Sequence, residues 1–141
     1  MAIWQHTSFA YPSNMLKGKI FNIDEMEWRQ NTLKEKLLVK ITELLPLPYE
    51  QMGNNYFFGN DKGNSLQVRY DAASVKSLMV RVDMRVLEDA FLKTVCELCT
   101  QYDLEMIDCD SLQRLSNSSD KLKKEIINSH INKKLQDFNR R

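Results

Sequence analysis

The sequence predicts an α+β protein, with an antiparallel sheet of three or four strands packed on two helices and a C-terminal amphipathic helix after them. Three observations support this fold class. Residues 55–85 alternate apolar and polar side chains with the period of two that strands require. Residues 24–45 and 86–103 space their apolar side chains three and four positions apart, as helices do. The connections between the predicted strands are short, which favours antiparallel neighbours.

Length and composition indicate one soluble domain over residues 1–141. A chain with 43% hydrophobic and 28% charged residues can bury a core without disulfides. The net charge of +1 creates no field that would attract nucleic acid or an anionic membrane. No apolar run approaches the roughly 20 residues that cross a bilayer, and the N-terminus does not have the pattern of a secretory signal. With three cysteines and no signal, we expect reduced thiols and a cytoplasmic protein.

The N-terminal residues 1–23 mix aromatic, aliphatic and polar side chains without a clear period. We therefore predict an irregular arm there, with a short strand at 19–23. The first helix is predicted over 24–45, because the Asp24 carboxylate can accept backbone N–H bonds at the first turn and Glu27 completes a capping pair.

The sheet is predicted from residues 55–85, where turn-forming residues at 59–63 separate an aromatic run from an alternating one. In the segment "SLMVRVDMR" at 77–85, the aliphatic residues share one face and the charged residues share the other. Residues 104–110 could return to the sheet as a fourth strand, and 110–115 could form a helical turn. The predicted core consists of these residues: Leu37, Ile41, Val68, Val80, Val82, Phe91, Val95 and Leu98.

The charged face of the predicted sheet contains the candidate partner-binding residues Arg69, Arg81, Asp83 and Arg85. Alternation alone explains these charges if that face meets water. The functional alternative is a rigid recognition face for a partner protein, since arginine pairs with carboxylates through two parallel hydrogen bonds and stacks on aromatic rings. Asp83 could also serve as a general base, but nothing in the sequence places a nucleophile or a second acid near it.

The pair Cys96 and Cys99 has the spacing of a redox or metal motif, but it falls inside a predicted helix, away from the N-terminus where the helix dipole lowers a thiol pKa. A zinc site needs two further ligands, and although Cys109 and His130 are present, they do not form a second ligand pair. His6 and His130 are the only two histidines of the sequence, so there is little material for a histidine-based catalytic pair. We therefore predict no metal, no cofactor and no catalytic residue, with the cysteines acting as small hydrophobic residues.

The C-terminal segment 116–141 is the basic part of the chain, with seven basic and three acidic residues, while the rest of the chain carries a charge of −3. An amphipathic helix is predicted over 120–139. Such a helix can bind nucleic acid or a membrane surface. It does not have interleaved arginines and aromatics, so we favour a solvated face over nucleic-acid binding, and we expect no membrane binding.

A helix ending in Leu-Pro is followed by the turn Phe58–Asn64, an alternating strand, "VRVDMR" at 80–85 and "FLKTVCELCTQYDLEMID" at 91–108. A group of small bacterial α+β proteins, mostly uncharacterised, has a similar order of features. Over residues 24–115 the chain resembles this group, some of whose members resemble immunity proteins of toxin systems. The resemblance implies a non-catalytic protein-binding module, and more narrowly an immunity-type inhibitor of a bacterial toxin. A small enzyme with a site around Asp83 and weak nucleic-acid binding through the C-terminal helix remain alternatives.

Overall fold

The computed structural model describes residues 4–16, 26–45, 49–60 and 62–139, with the side chains of 130–139 outside the described part. These residues form a seven-stranded antiparallel sheet and three α-helices. The strands are β1 (Gln5–Pro12), β2 (Tyr49–Met52), β3 (Asn55–Gly59), β4 (Ser65–Asp71), β5 (Ser74–Asp83), β6 (Leu104–Asp108) and β7 (Arg114–Leu115). The helices are α1 (Lys34–Leu44), α2 (Asp89–Gln101) and α3 (Ser119–Asn139), and a 3-10 turn spans Ser13–Met15. The strand order is β2-β3-β4-β5-β1-β6-β7.

The predicted α+β class and the predicted meander are confirmed, the meander as β3, β4 and β5, and the predicted fourth strand is β6. The predicted count of three or four strands is wrong, because β1 and the two edge strands also belong to the sheet. β7 has two residues, too few to show a period of two, and the four residues of β2, Tyr-Glu-Gln-Met, do not alternate. Residues 110–115, predicted as a helical turn, form a turn followed by β7.

The prediction of an irregular N-terminal arm over 1–23 is wrong for β1, which lies in the middle of the sheet between β5 and β6. Phe9 is opposite Met79 on one side and opposite Ile107 on the other. Most side chains of β1 are buried, whichever face of the sheet they occupy. A strand buried on both faces needs no alternation of apolar and polar residues, which is why its sequence does not reveal it. The predicted strand at 19–23 lies outside the described residues.

The first predicted helix begins ten residues later than expected, at Lys34. Its predicted cap, Asp24, lies outside the described residues, and the residues before α1 that are described form no helix. Trp28 explains this difference, because its backbone N–H donates to the Lys76 carbonyl at 2.9 Å and its Nε1 donates to the Ala10 carbonyl at 2.9 Å. These bonds tie the segment to β5 and β1, and such tertiary bonds outweigh local helix propensity.

Most of the core lies between the three helices and one face of the sheet. All eight predicted core residues are buried, which confirms the inside and outside assignment of α1, α2, β4 and β5. The third helix adds Leu122 and Ile126 to the same cluster. The opposite face of the sheet, called the far face below, contains Arg69, Arg81 and Asp83.

Candidate functional site

The four charged residues predicted to form a recognition face do not form one continuous free patch. Arg81 on β5 is opposite Ser65 on β4, whereas Arg69 is four positions further along β4. At about 3.3 Å per residue, the two arginines are roughly 13 Å apart along the strand direction. Arg69 is also engaged, because Oε2 of Glu27 lies 2.8 Å from its Nη2 in a half-exposed ion pair.

Asp83 and Arg85 bind each other. Oδ1 of the buried Asp83 accepts hydrogen bonds from the backbone N–H (2.9 Å) and from Nε (3.0 Å) of Arg85, and Oδ2 accepts one from Nη2 at 2.9 Å. The hydrogen bonds from Arg85 outweigh the effect of burial and lower the pKa of Asp83. The guanidinium of Arg85 also lies over the Trp4 ring, 4.3 Å from its centroid. This pair is therefore a fixed unit of the structure.

The same corner of the molecule holds the loop between β3 and β4. The backbone N–H of Asp83 donates to Oδ1 of Asn64 at 2.7 Å, and Nε2 of Gln5 donates to the Gly63 carbonyl at 2.7 Å. An ionised carboxylate with a lowered pKa and hydrogen bonds on both oxygens is a weak proton acceptor. The geometry thus gives the backbone of Asp83 a role in holding the loop, and it argues against the use of the Asp83 carboxylate as a general base.

Arg81 is the member of the predicted face that remains unpaired. Its side chain is half-buried, and its Nε is buried without a hydrogen-bond acceptor. No ion pair joins it to another residue in the part of the chain that the structure describes. Of the four predicted residues, Arg81 is therefore the one whose guanidinium has the most N–H donors available to a ligand.

A second candidate surface, which the sequence analysis does not identify, lies on the helix side at the β2 end of the sheet. There α1 and the β2–β3 hairpin enclose a groove of about 340 Å³. One wall comes from α1 and the other from aromatic residues of the hairpin. The lining residues are Leu38, Val39, Thr42, Glu43, Tyr49, Tyr56 and Phe58. The groove is therefore mainly aliphatic and aromatic, with one carboxylate in its wall.

The aromatic wall of the groove is part of a larger ring cluster. The ring centroids of Tyr49 and Phe58 are 5.8 Å apart, and those of Tyr56 and Tyr70 are 5.3 Å apart. Nε2 of Gln51, on β2, donates to the Tyr70 hydroxyl at 2.6 Å. These contacts fix the hairpin against β4, so the wall is formed before any ligand arrives.

The groove runs beside an edge of the sheet. β2 pairs with β3, where Tyr49 is opposite Phe58 and Met52 is opposite Asn55, and it has no neighbour on its outer side within the described ranges. All four residues of β2 are exposed. Tyr49 is 63% exposed, and Val39 on the facing helix is 56% exposed. An apolar groove and an open strand edge therefore lie side by side.

A buried polar cluster joins β1, β6 and α3. Asp108 is 1% exposed and His6 is 6% exposed, and Nε2 of the histidine lies 3.1 Å from Oδ2 of the carboxylate. The same Oδ2 accepts a hydrogen bond of 2.6 Å from Oγ of Ser129, while Oδ1 accepts one from the backbone N–H of Asp110 at 2.8 Å. Burial alone would raise the pKa of Asp108, but the hydrogen bonds, led by that from His6, hold its pKa well below the usual range.

The order of these groups does not match a nucleophilic triad. In a triad the histidine lies between the hydroxyl and the carboxylate, whereas here Asp108 lies between His6 and Ser129. The hydroxyl therefore donates to the carboxylate and is not activated by the imidazole. The cluster fastens α3 to the sheet, and no signal in the sequence brings its three members together.

The three cysteines are reduced in the structure. Cys96 and Cys99 lie within α2, as expected from the sequence, and both are buried. Burial raises the pKa of Cys96, and burial with a smaller contribution from Cys96 raises the pKa of Cys99 to about 12. Among the described residues, no group of three or more His, Cys, Asp or Glu side chains is placed to hold a metal ion.

Comparisons of the chain with protein-family models, with curated proteins and with solved structures give no match. In the part of the chain that the structure describes, no helix combines the length and the apolar character that crossing a membrane would require.

Proposed function

We propose that this protein is a non-catalytic protein-binding module that binds an extended segment of a partner protein along β2 and in the groove beside it. The position of Tyr49 carries the proposal. This residue belongs to a fully exposed edge strand, and its side chain also lines the groove. The strand edge and the groove are therefore one surface, on which a single segment can pair its backbone and insert its side chains.

The backbone of β2 supports an extended occupant. An open strand edge presents unpaired N–H and C=O groups, and their natural complement is a further strand. In this mode of binding the backbone hydrogen bonds supply affinity, and pockets for alternate side chains supply specificity. Side chains on the helix side of an added strand would lie next to Tyr49, across the groove from Val39.

The charge of the groove supports a partner segment that carries a basic residue. Glu43 is the acidic residue among those that line the groove. Its side chain is largely exposed, and Nζ of Lys40 is 3.9 Å from its carboxylate, at the outer limit of an ion pair. Most of the Glu43 charge is thus available to a lysine or arginine that follows the apolar side chains of the partner.

A second copy of this chain is a poorer occupant of the edge. Two copies could pair their β2 strands antiparallel to each other about a two-fold axis. Opposed residues of such a pair lie on the same face of the sheet, so the axis must pass through a residue, which is then opposite its own copy. An axis through Glu50 places two carboxylates directly opposite each other, which is destabilising. An axis through Gln51 avoids this contact but moves Tyr49 beyond the four-residue strand of the copy.

The narrower form of the proposal is an immunity-type inhibitor of a bacterial toxin, and it rests on the sequence resemblance. An inhibitor of this kind needs a stable scaffold and an exposed recognition surface. The continuous core and the β2 edge supply these two features.

The two alternative functions have less support. An enzyme centred on Asp83 would need a free carboxylate, but Arg85 holds both of its oxygens. Nucleic-acid binding through α3 would use its basic face, but Lys123 lies 3.1 Å from Asp89 in an ion pair. The apolar stripe of α3 is occupied as well, because Leu122 and Ile126 pack in the core.

The proposal is tested with a display library of random peptides selected against the full chain. Val39→Glu changes the groove, and Val86→Glu makes the same chemical change at a valine that is 67% exposed in the turn after β5. We expect selected peptides to carry apolar residues at alternate positions together with a lysine or arginine. These peptides should bind the wild type and Val86→Glu equally, and Val39→Glu at least about tenfold more weakly.

Further variants separate the contributions. Glu43→Gln should weaken the binding of basic peptides by a factor of about two to five, as expected for the loss of an exposed ion pair. Equal binding to the wild type, Val39→Glu and Val86→Glu, or a library that enriches no peptide, would overturn the proposal. A dimer that forms in the wild type and is lost in Val39→Glu would identify a second copy as the occupant, and would overturn it too.

The toxin hypothesis needs a separate measurement. A photo-crosslinking amino acid in place of Tyr49 captures the physiological partner, which is then purified. Inhibition of its toxic activity by the wild type and by Val86→Glu, but not by Val39→Glu, is the expected result. A captured partner without toxic activity would leave a binding module and refute the immunity role.

A further inference from the structure

Arg81 is a half-buried cation on the far face of the sheet, on a central strand. Its Nε is the guanidinium nitrogen that is both buried and without an acceptor, so the two terminal nitrogens lie toward the exposed end of the side chain. A guanidinium stays ionised and has five N–H donors. Removing such a group from water without a counter-charge is unfavourable, so an acceptor that binds the guanidinium of Arg81 would offset this cost.

Within the described ranges, no neighbouring residue neutralises Arg81. Asp83 is two positions away on the same face of β5, but Arg85 holds both of its oxygens. Directly opposite Arg81 are Ser65 on β4 and Thr7 on β1, which are buried and uncharged. The row formed by these two residues and Arg81 therefore has one positive charge with a hydroxyl-bearing residue on each side.

We propose that Arg81 binds a carboxylate group, presented by a small molecule or by an acidic side chain of a partner. A planar carboxylate can accept two parallel hydrogen bonds from the terminal nitrogens, and its single negative charge matches the single positive charge of Arg81. A phosphate carries close to two charges and would need a second cation. The other two arginines of the predicted face do not supply one, because Glu27 holds Arg69 and Asp83 holds Arg85.

This site is independent of the groove. Arg81 lies on the far face, whereas the groove lies between the sheet and α1. A failure of the peptide-binding proposal therefore leaves the carboxylate site untouched, and the reverse is also true.

The test follows the side-chain Nε–H resonances of the arginines by NMR during titrations of the full chain. The probes are sodium acetate, a short peptide with one glutamate, the same peptide with glutamine instead, and inorganic phosphate, all at constant ionic strength with chloride as reference. We expect acetate and the glutamate peptide to shift the Arg81 resonance to saturation, with phosphate binding no more tightly than acetate. Arg81→Lys keeps the charge but loses the planar fork, so acetate should bind it about tenfold more weakly, as followed in this variant by the backbone amide resonances of residue 81 and its strand neighbours. Arg69→Gln is the matched control, because it removes a paired arginine from the same face, and it should leave binding unchanged.

The outcomes separate the sources of the carboxylate. Binding of the glutamate peptide more than about tenfold tighter than acetate indicates a partner side chain, and tighter binding of acetate indicates a small molecule. The proposal is overturned if no probe shifts Arg81 beyond the chloride reference, if the glutamine peptide binds as tightly as the glutamate peptide, or if phosphate binds more tightly than acetate. A loss of binding in Arg69→Gln, with an unchanged amide spectrum, would place the site elsewhere.

Discussion

His6 and Asp108 meet inside the protein, where Nε2 of the histidine is 3.1 Å from Oδ2 of the carboxylate and both side chains are almost fully buried. They are 102 residues apart in the chain, one on β1 and the other on β6. Oγ of Ser129, on α3, donates a hydrogen bond to the same oxygen of Asp108. A single carboxylate therefore joins the N-terminal strand, a later strand and the last helix, and its removal should affect all three.

Asp108→Ala is expected to lower the free energy of unfolding by about 3–5 kcal/mol, because it leaves several buried donors without an acceptor. Urea unfolding followed by circular dichroism measures this change. Asp71→Ala, at an exposed position at the end of β4, is the control and should cost less than about 1 kcal/mol. Equal losses in both variants would show that the buried cluster does not stabilise the fold.

Acid should destabilise the protein through Asp108 and Asp83, whose pKa values are lowered in the folded state. The ordinary value for an aspartate is 3.8, so below about pH 4 the unfolded chain takes up protons that the folded chain does not. These two carboxylates therefore make their full contribution to the free energy of unfolding above that pH. The contribution is lost as the pH falls toward their folded-state pKa values.

The urea midpoint measured between pH 6 and pH 2 checks this dependence. Asp108→Asn cannot titrate, so its stability should fall less steeply below pH 4 than that of the wild type. Parallel curves for the two proteins would show that Asp108 keeps an ordinary pKa.

Arg81→Met is expected to raise stability, in contrast to most substitutions at partly buried positions. It removes a buried Nε–H without an acceptor and retains an unbranched apolar side chain that ends at about the position of that nitrogen. We expect a gain of about 1 kcal/mol in the free energy of unfolding. Arg69→Met, which breaks the half-exposed ion pair with Glu27, should instead lose about 0–1 kcal/mol. A clear loss of stability in Arg81→Met would show that the guanidinium is satisfied in the folded protein.

The sequence predicts the parts of this fold in which one face of a helix or strand is buried and the other is exposed to solvent. Val80 and Val82 alternate with charged residues on β5, and Phe91 and Val95 repeat at helical spacing on α2, so their burial is predicted correctly. β1 is missed because both of its faces are covered, and the alternation that identifies a strand disappears in such a case. The late start of α1 is missed for another reason, because the hydrogen bonds of Trp28 are tertiary contacts.

The candidate sites also depend on tertiary contacts that the sequence pattern does not show. Alternation identifies Arg81 as a residue of the far face, but it takes the pairing of Asp83 with Arg85 to explain why Arg81 has no counter-charge in the part of the chain that the structure describes. The groove depends on where the β2–β3 hairpin lies relative to α1. Contacts between elements so distant in the chain have no local period in the sequence, so periodicity cannot reveal them.

The last prediction concerns the thiols. Cys109 is partly exposed, whereas Cys96 and Cys99 are buried in α2 and have raised pKa values, about 12 for Cys99. Since the thiolate is the reactive form, iodoacetamide at pH 8 should alkylate Cys109 first and Cys99 last, and Cys99 should react readily only after unfolding in urea. Mass spectrometry of peptides from timed samples gives the three rates, with the urea-unfolded chain as the control for intrinsic reactivity. Rapid alkylation of Cys99 in the folded protein would mean that its thiolate is accessible, and would reopen the redox interpretation of the Cys-x-x-Cys pair.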